Sequence, residues 1–232
     1  MENVIEVKSA SKRFKETAAL DDVSLSFRKG EIYGVVGRNG SGKTVLFKCI
    51  CGLMYPDSGV VIVNGKRVGK DVDMPGDLGC IIEAPGFLPN YSGLKNLKFL
   101  AEINRKVDTA VLRETLQTVG LDPGSKKHVG KYSLGMRQRL GIAQAIMEDP
   151  DILILDEPMN GLDNDGVQDI RELLLKLRDK GKTILLASHS KEDIEILCDT
   201  VYEMDHGKVI SKRKRDGTGI NVTNLQAPEF FE

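Results

Sequence analysis

The octapeptide GRNGSGKT, Gly37 to Thr44, limits what this chain can fold into more than any other stretch. It fits G-x-x-x-x-G-K-[ST]. The apolar run EIYGVV precedes it and a helical pattern begins at about Lys43, which is the strand–loop–helix setting the motif needs. Its glycines let the backbone curl, so that N–H groups from Gly37, Arg38, Asn39, Gly40, Ser41 and Gly42 can face one anion. Lys43 is placed to bridge β- and γ-phosphates, and the Thr44 hydroxyl to ligate Mg²⁺. The loop implies binding of a nucleoside triphosphate and leaves GTPase, kinase and transport motor open.

Around that loop the chain changes pattern twice. The first third reads as short alternating strands, NVIEVKS, VSLSFRKG and GVVIVNG, the last closed by an Asn64-Gly65 hairpin turn. LGCIIE is a further strand. From Leu94 to about Met147 the apolar residues recur at helical spacing, broken at DPGSKKHVG. After Pro150 strands return as ILIL and TILLAS around a polar-faced helix, VQDIRELLLKLRDKG, and VYEMDHGKVI reads as a hairpin turning at Asp205 to Gly207. Strands apolar on both faces, alternating with helices, predict an α/β fold with a mostly parallel core sheet. We expect a single domain: residues 1–91 and 148–210 form the core with its antiparallel β subdomain, 92–147 an inserted helical subdomain, and 211–232 a tail. Lys212 to Arg215 (KRKR) then falls on a solvated tail, with anionic lipid or a permease loop as the alternative contact.

Composition narrows the partners. Thirty-three Lys+Arg against 34 Asp+Glu, a net charge of −1, give no global basic field for nucleic acid. Cys49, Cys51, Cys80 and Cys198 show no metal-ligand spacing and are expected as free thiols in a reducing compartment. MENVIEVKSA is too polar for a secretory signal, and apolar runs such as Ile152 to Leu155 fall far short of the ~18–20 residues that span a bilayer. The expectation is a cytoplasmic chain whose membrane role comes through a partner. NVT at Asn221 matches a glycosylation site that such a chain would not present.

Ligands of open parallel sheets sit beyond the carboxyl ends of the strands. The loop after Val36, the end of LGCIIE, Asp156–Glu157 after ILIL and the Ser188–Ser190 stretch should share that edge. Asp156 suits a Mg²⁺ shell. Glu157 can orient or deprotonate an attacking water, and the His189 ring can hydrogen-bond a γ-phosphate oxygen. His128 and His206 read as ordinary surface or satisfied side chains. KYSLGMRQRL, Lys131 to Leu140, raises a separate question. Ser133 is a good N-cap, but the first turn has no acid, Arg137 and Arg139 lie near the positive helix end, and open N–H groups await an anion.

These motifs together resemble the ATP-binding cassette (ABC) ATPases, a family of P-loop NTPases, over Ile5 to about Ile210. The residues that carry the resemblance are GRNGSGKT, YSLGMRQRL, ILILDEP, NGLD at Asn160 to Asp163, and His189. The resemblance implies adenine stacking on Phe14. It also implies two cassettes packed head to tail, with Ser133, Leu134 and Gly135 of each chain meeting the γ-phosphate held by the other and Asp163 lining the seam. ATP and Mg²⁺ are the implied cofactors. The family's usual Gln at the end of the second core strand is replaced here by Glu83, which can still ligate Mg²⁺ but, when ionised, donates no hydrogen bond. IIEAPGF and LPNYSGLKNL resemble the bacitracin-exporter and lantibiotic-immunity group. The expected function is the ATP-hydrolysing motor of an exporter, peripheral on the cytoplasmic face of the membrane through a separate permease. A non-transport ABC ATPase acting on DNA or the ribosome is the alternative, without the coiled-coil insertion, zinc site or second cassette usual there.

Overall fold

The computed structural model describes residues 2–104, 107–216 and 219–224. A four-stranded antiparallel sheet leads the chain, built from β1 (Asn3–Phe14), β2 (Thr17–Arg28), β4 (Ser58–Val63) and β5 (Lys66–Arg67) in the order β2-β1-β4-β5. Asn64 and Gly65, both at positive φ (49° and 75°), make the β4–β5 turn that the sequence anticipates.

The second sheet holds seven strands in the order β11-β10-β9-β3-β8-β7-β6. Five of them are parallel: β9 (Thr200–Asp205), β3 (Ile32–Val36), β8 (Thr183–Ala187), β7 (Ile152–Asp156) and β6 (Leu78–Ile81). Their residues alternate between two cores. Ile152, Ile154, Leu185 and Ala187 face the antiparallel sheet and α1 (Lys43–Ile50). Leu153, Leu155, Ile184 and Leu186 face the helices on the other side. Burial on both faces is why ILIL and TILLA read as unbroken apolar runs. Phe27, Tyr33 and Tyr202 lock the two sheets together, with the Phe27 ring 5.0 and 5.6 Å from the other two centroids.

Between β6 and β7 lie α2 (Gly93–Asn104), α3 (Thr109–Thr118) and α4 (Leu134–Ile146). Leu97, Leu112, Leu116, Tyr132 and Leu140 join them into one apolar cluster with the sheet. α5 (Asn164–Asp179) and α6 (Lys191–Leu197) cover the same face beside β8. All four cysteines are free.

One expectation needs correction. The sheet does not stop at Ile210: β10 (Lys208–Asp216) pairs antiparallel with β9 from Lys208↔Asp205 to Lys214↔Thr200, and β11 (Gly219–Asn224) adds a further strand that carries Asn221. Lys212 and Arg213 are half-buried, with Arg213 Nε buried, while Lys214 and Arg215 are exposed; long basic side chains can lay their stems along a sheet in this way. Lys212 Nζ lies 5.3 Å from the Tyr202 ring centroid, and the Arg215 N–H donates to Asp199 O at 2.8 Å. The rest of the expected tail, 225–232, lies outside the described residues.

Candidate active site

The phosphate loop joins β3 to α1. Gly42 caps the helix at φ 106°, and a Cβ there would run into the carbonyl oxygen of Ala19. Only glycine fits that corner. Lys43 is buried, and its Nζ donates to the loop's own carbonyls, Gly37 O at 2.7 Å and Arg38 O at 3.1 Å. Burial lowers its pKa, and the carboxylates of Glu157 and Asp156 pull the other way. Ser41 Oγ is buried with no hydrogen-bond partner. An orphaned hydroxyl inside a curl of N–H groups fits an anion. The Arg38 side chain turns away to Asp205 (2.8 Å) and His206, so this residue offers the loop backbone rather than a guanidinium.

Register brings the other groups in. Asp156 pairs with Ala187 across β7 and β8, so the residues following the two strands emerge side by side. Asp156 Oδ2 accepts from Thr44 Oγ1 at 2.8 Å. This hydroxyl–carboxylate pair is the hard oxygen donor set that Mg²⁺ takes. Glu157 sits at φ 52°, a left-handed conformation that costs a non-glycine residue about 1–3 kcal/mol. Its Oε2 accepts from the His189 N–H at 3.3 Å, while Oε1, 3.3 Å from His189 Nε2, is buried and accepts no hydrogen bond. Burial raises the Glu157 pKa against the pull of His189. A carboxylate with one free oxygen and a raised pKa is suited to take a proton.

Behind His189 stands a clamp. Arg171 of α5 donates to Asp193 of α6 through Nε (2.8 Å) and a terminal nitrogen (2.5 Å), and to Glu192 at 3.0 Å. Asp193 in turn accepts from Ser188 Oγ at 3.2 Å, and its N–H donates to Ser190 Oγ at 3.2 Å. The residues on both sides of His189 are thus held to α5.

These groups open onto one cavity of about 730 Å³. Asn39, Gly40, Ser41, Gly42, Lys43 and Thr44 line it, with Asp156, Glu157 and His189 at the sheet edge. Phe14 is exposed at its mouth, at the end of β1, beside Thr17 and Ala19. Glu83 lines it as well, but its carboxylate bonds Lys48 Nζ at 2.7 Å rather than the Thr44–Asp156 pair. Gln138 of the YSLGMRQRL stretch and Asn160 of NGLD are also there; Gln138 Nε2 donates to Glu157 O at 3.1 Å.

The α4 entrance is not gathered in the same way. Leu134 reaches the wall and is 59% exposed, whereas Ser133, Gly135, Gly37 and Asp163 are not among the lining residues. Ser133 Oγ accepts from Met136 N at 3.2 Å, which caps the helix. Gly135 packs so closely that a Cβ would come within 2.8 Å of Gly161 O. Arg139 is satisfied internally, by Val119 O (2.7 Å) and Asp169 (3.0 Å), so it does not explain the open helix end. Asp163 Oδ1 caps α5 by accepting from Gly166 N at 3.0 Å.

The uncharacterized ABC transporter ATP-binding protein YybJ of Bacillus subtilis (strain 168) is 44% identical over 91% of this chain and 97% of its own length. The bacitracin transport ATP-binding protein BcrA of Enterococcus faecalis is 39% identical over 97% of this chain and 76% of its own length. A dimeric ATP-binding cassette in a post-hydrolysis state bound to ADP and Pi superposes with a TM-score of 0.83, at 23% identity, over 92% of this chain and 99% of that one. The family model described as ABC transporter matches residues 20–160. By its phosphate loop, its sheet-edge carboxylates and these matches, the chain belongs to the ABC transporter family.

Proposed function

We propose that this chain is the ATP-hydrolysing motor of a transporter that removes a peptide antibiotic or similar amphiphile through a separate membrane-spanning polypeptide. The relatives' names support the cargo class. No described helix is long and apolar enough to cross a membrane, and we assign the pathway for cargo to a separate permease. That pairing would hold this chain at the cytoplasmic face of the membrane.

The observation that carries the reading is the division of the site. Phosphate loop, carboxylates and histidine meet in one cavity, which Leu134 and Gln138 of α4 also reach, while Ser133 and Gly135 at the helix entrance lie outside its lining. We assign the open N–H groups of that helix end to the γ-phosphate held by a second cassette, packed head to tail, with Asp163 at the seam. Phe14 stacks on the base, and the loop from Gly37 to Thr44 wraps the phosphates. Lys43 turns its remaining donor to the β- and γ-phosphates. Thr44 and Asp156 hold Mg²⁺, which when bound neutralises phosphate charge. Glu157 takes a proton from the attacking water through its free Oε1, and His189 hydrogen-bonds the γ-phosphate.

The test is Glu157→Gln. This variant should bind ATP, lose turnover by 100-fold or more on the general scale of ~10²–10⁴ for a base, and run as a dimer on gel filtration only with ATP. A variant that stays monomeric with saturating ATP refutes the two-chain site.

A further inference from the structure

Three carboxylates line the nucleotide cavity: Asp156, Glu157 and Glu83. Within it the nearby cation is Lys43, already shared with two carbonyls and electrostatically coupled to Asp156 and Glu157. A triphosphate brings several more negative charges into the same space. Glu83 adds to that charge, and although its side chain is 64% exposed, water weakens the repulsion without removing it. Its backbone is also held at φ 61°, a conformation that a glutamate adopts only when its surroundings impose it.

The structure places one group that answers the charge. Lys48 lies on α1, four residues and one turn beyond Thr44, and its ammonium bonds Glu83 Oε1 at 2.7 Å. Lys48 is itself a quarter exposed, so its charge stays partly shielded from bulk water. We propose that Lys48 is the charge-compensating and positioning partner of Glu83, holding that carboxylate off the phosphate path so that the cavity accepts a nucleoside triphosphate. A neutral side chain at position 83 would need no such partner. Lys48 is thus a residue whose importance for nucleotide binding depends on the identity of another. The inference rests on the cavity being the triphosphate site.

A four-variant titration tests it. ATP binding is measured by calorimetry in EDTA, without turnover, for the unaltered chain, Lys48→Met, Glu83→Gln and the double variant. Lys48→Met should weaken ATP binding about threefold or more in the chain that keeps Glu83, the scale of an ion pair of this exposure. In the Glu83→Gln background the same change should be near neutral. Lys48→Arg, which keeps the charge, should retain the original affinity. The threefold loss should shrink as salt is raised, because the pair is partly exposed. An equal loss in both backgrounds would mean that Lys48 meets the phosphates directly, and no loss in either would mean the pair is idle; each overturns the inference. Failure of the unaltered chain to bind ATP would instead overturn the proposed function. A thermal melt of each variant separates loss of folding from loss of binding, and Lys48→Gln replaces Lys48→Met if the latter does not fold.

Discussion

Lys43 is held in place by its own loop. Its ammonium donates to Gly37 O and Arg38 O, which leaves the third of its three donors for a phosphate. A bond from that ammonium to phosphate pairs two charges and is stronger than one to a neutral carbonyl. Lys43→Ala should therefore abolish ATP binding or nearly so in titration calorimetry, and unchanged affinity would contradict the assignment of the loop. The residues at this scale divide cleanly by legibility. Lys43, Thr44, Asp156, Glu157 and His189 stand in motifs or at strand ends, so their neighbours in sequence announce them. Gln138 and Asn160 stand inside YSLGMRQRL and NGLD, but nothing in either motif points those two side chains at the cavity. Gln138 meets Glu157 across a separation of 19 residues, and only the packing of α4 against the sheet decides that. Glu83 was legible as a departure, but its pairing with Lys48 was not, because nothing in the order of residues tells which cation lies across from a strand end.

Elements differ in the same way. Strands buried on both faces and helices with a regular apolar stripe were readable. α6 was missed, although Ser190 followed three residues later by Asp193 is a capping pattern, because seven residues give too little periodicity. β10 was misread because KRKR suggests solvent, and strand pairing with β9 outweighed composition. The join between α5 and α6 deserves a mutation of its own. Arg171 and Asp193 are both buried, and removing one partner strands the other charge. Arg171→Met should cost about 3 kcal/mol in urea denaturation. It should also lower kcat more than it raises KM for ATP, since the freed segment carries His189 and not the phosphate loop. A loss in KM alone would detach the clamp from catalysis.

At the scale of the whole molecule, one sheet separates two apolar cores. Its carboxyl edge gathers the phosphate loop, the carboxylates and His189 between β9 and β6, an arrangement that strand alternation already implied. The proposed two-chain site assigns the end of α4 to a second cassette. Ser133 is exposed and caps its own helix, and it does not line its own cavity. The proposed pairing predicts a rate law. In dilute solution, phosphate release per unit volume should climb with the square of protein concentration, then become linear once molecules are paired. A steady colorimetric rate that is first order throughout would break the scheme. Ser133→Arg should be inactive alone, yet an excess of it mixed with the unaltered chain should not lower total phosphate release, because each unaltered copy still completes the site of the variant it faces; a proportional or steeper fall would contradict the pairing.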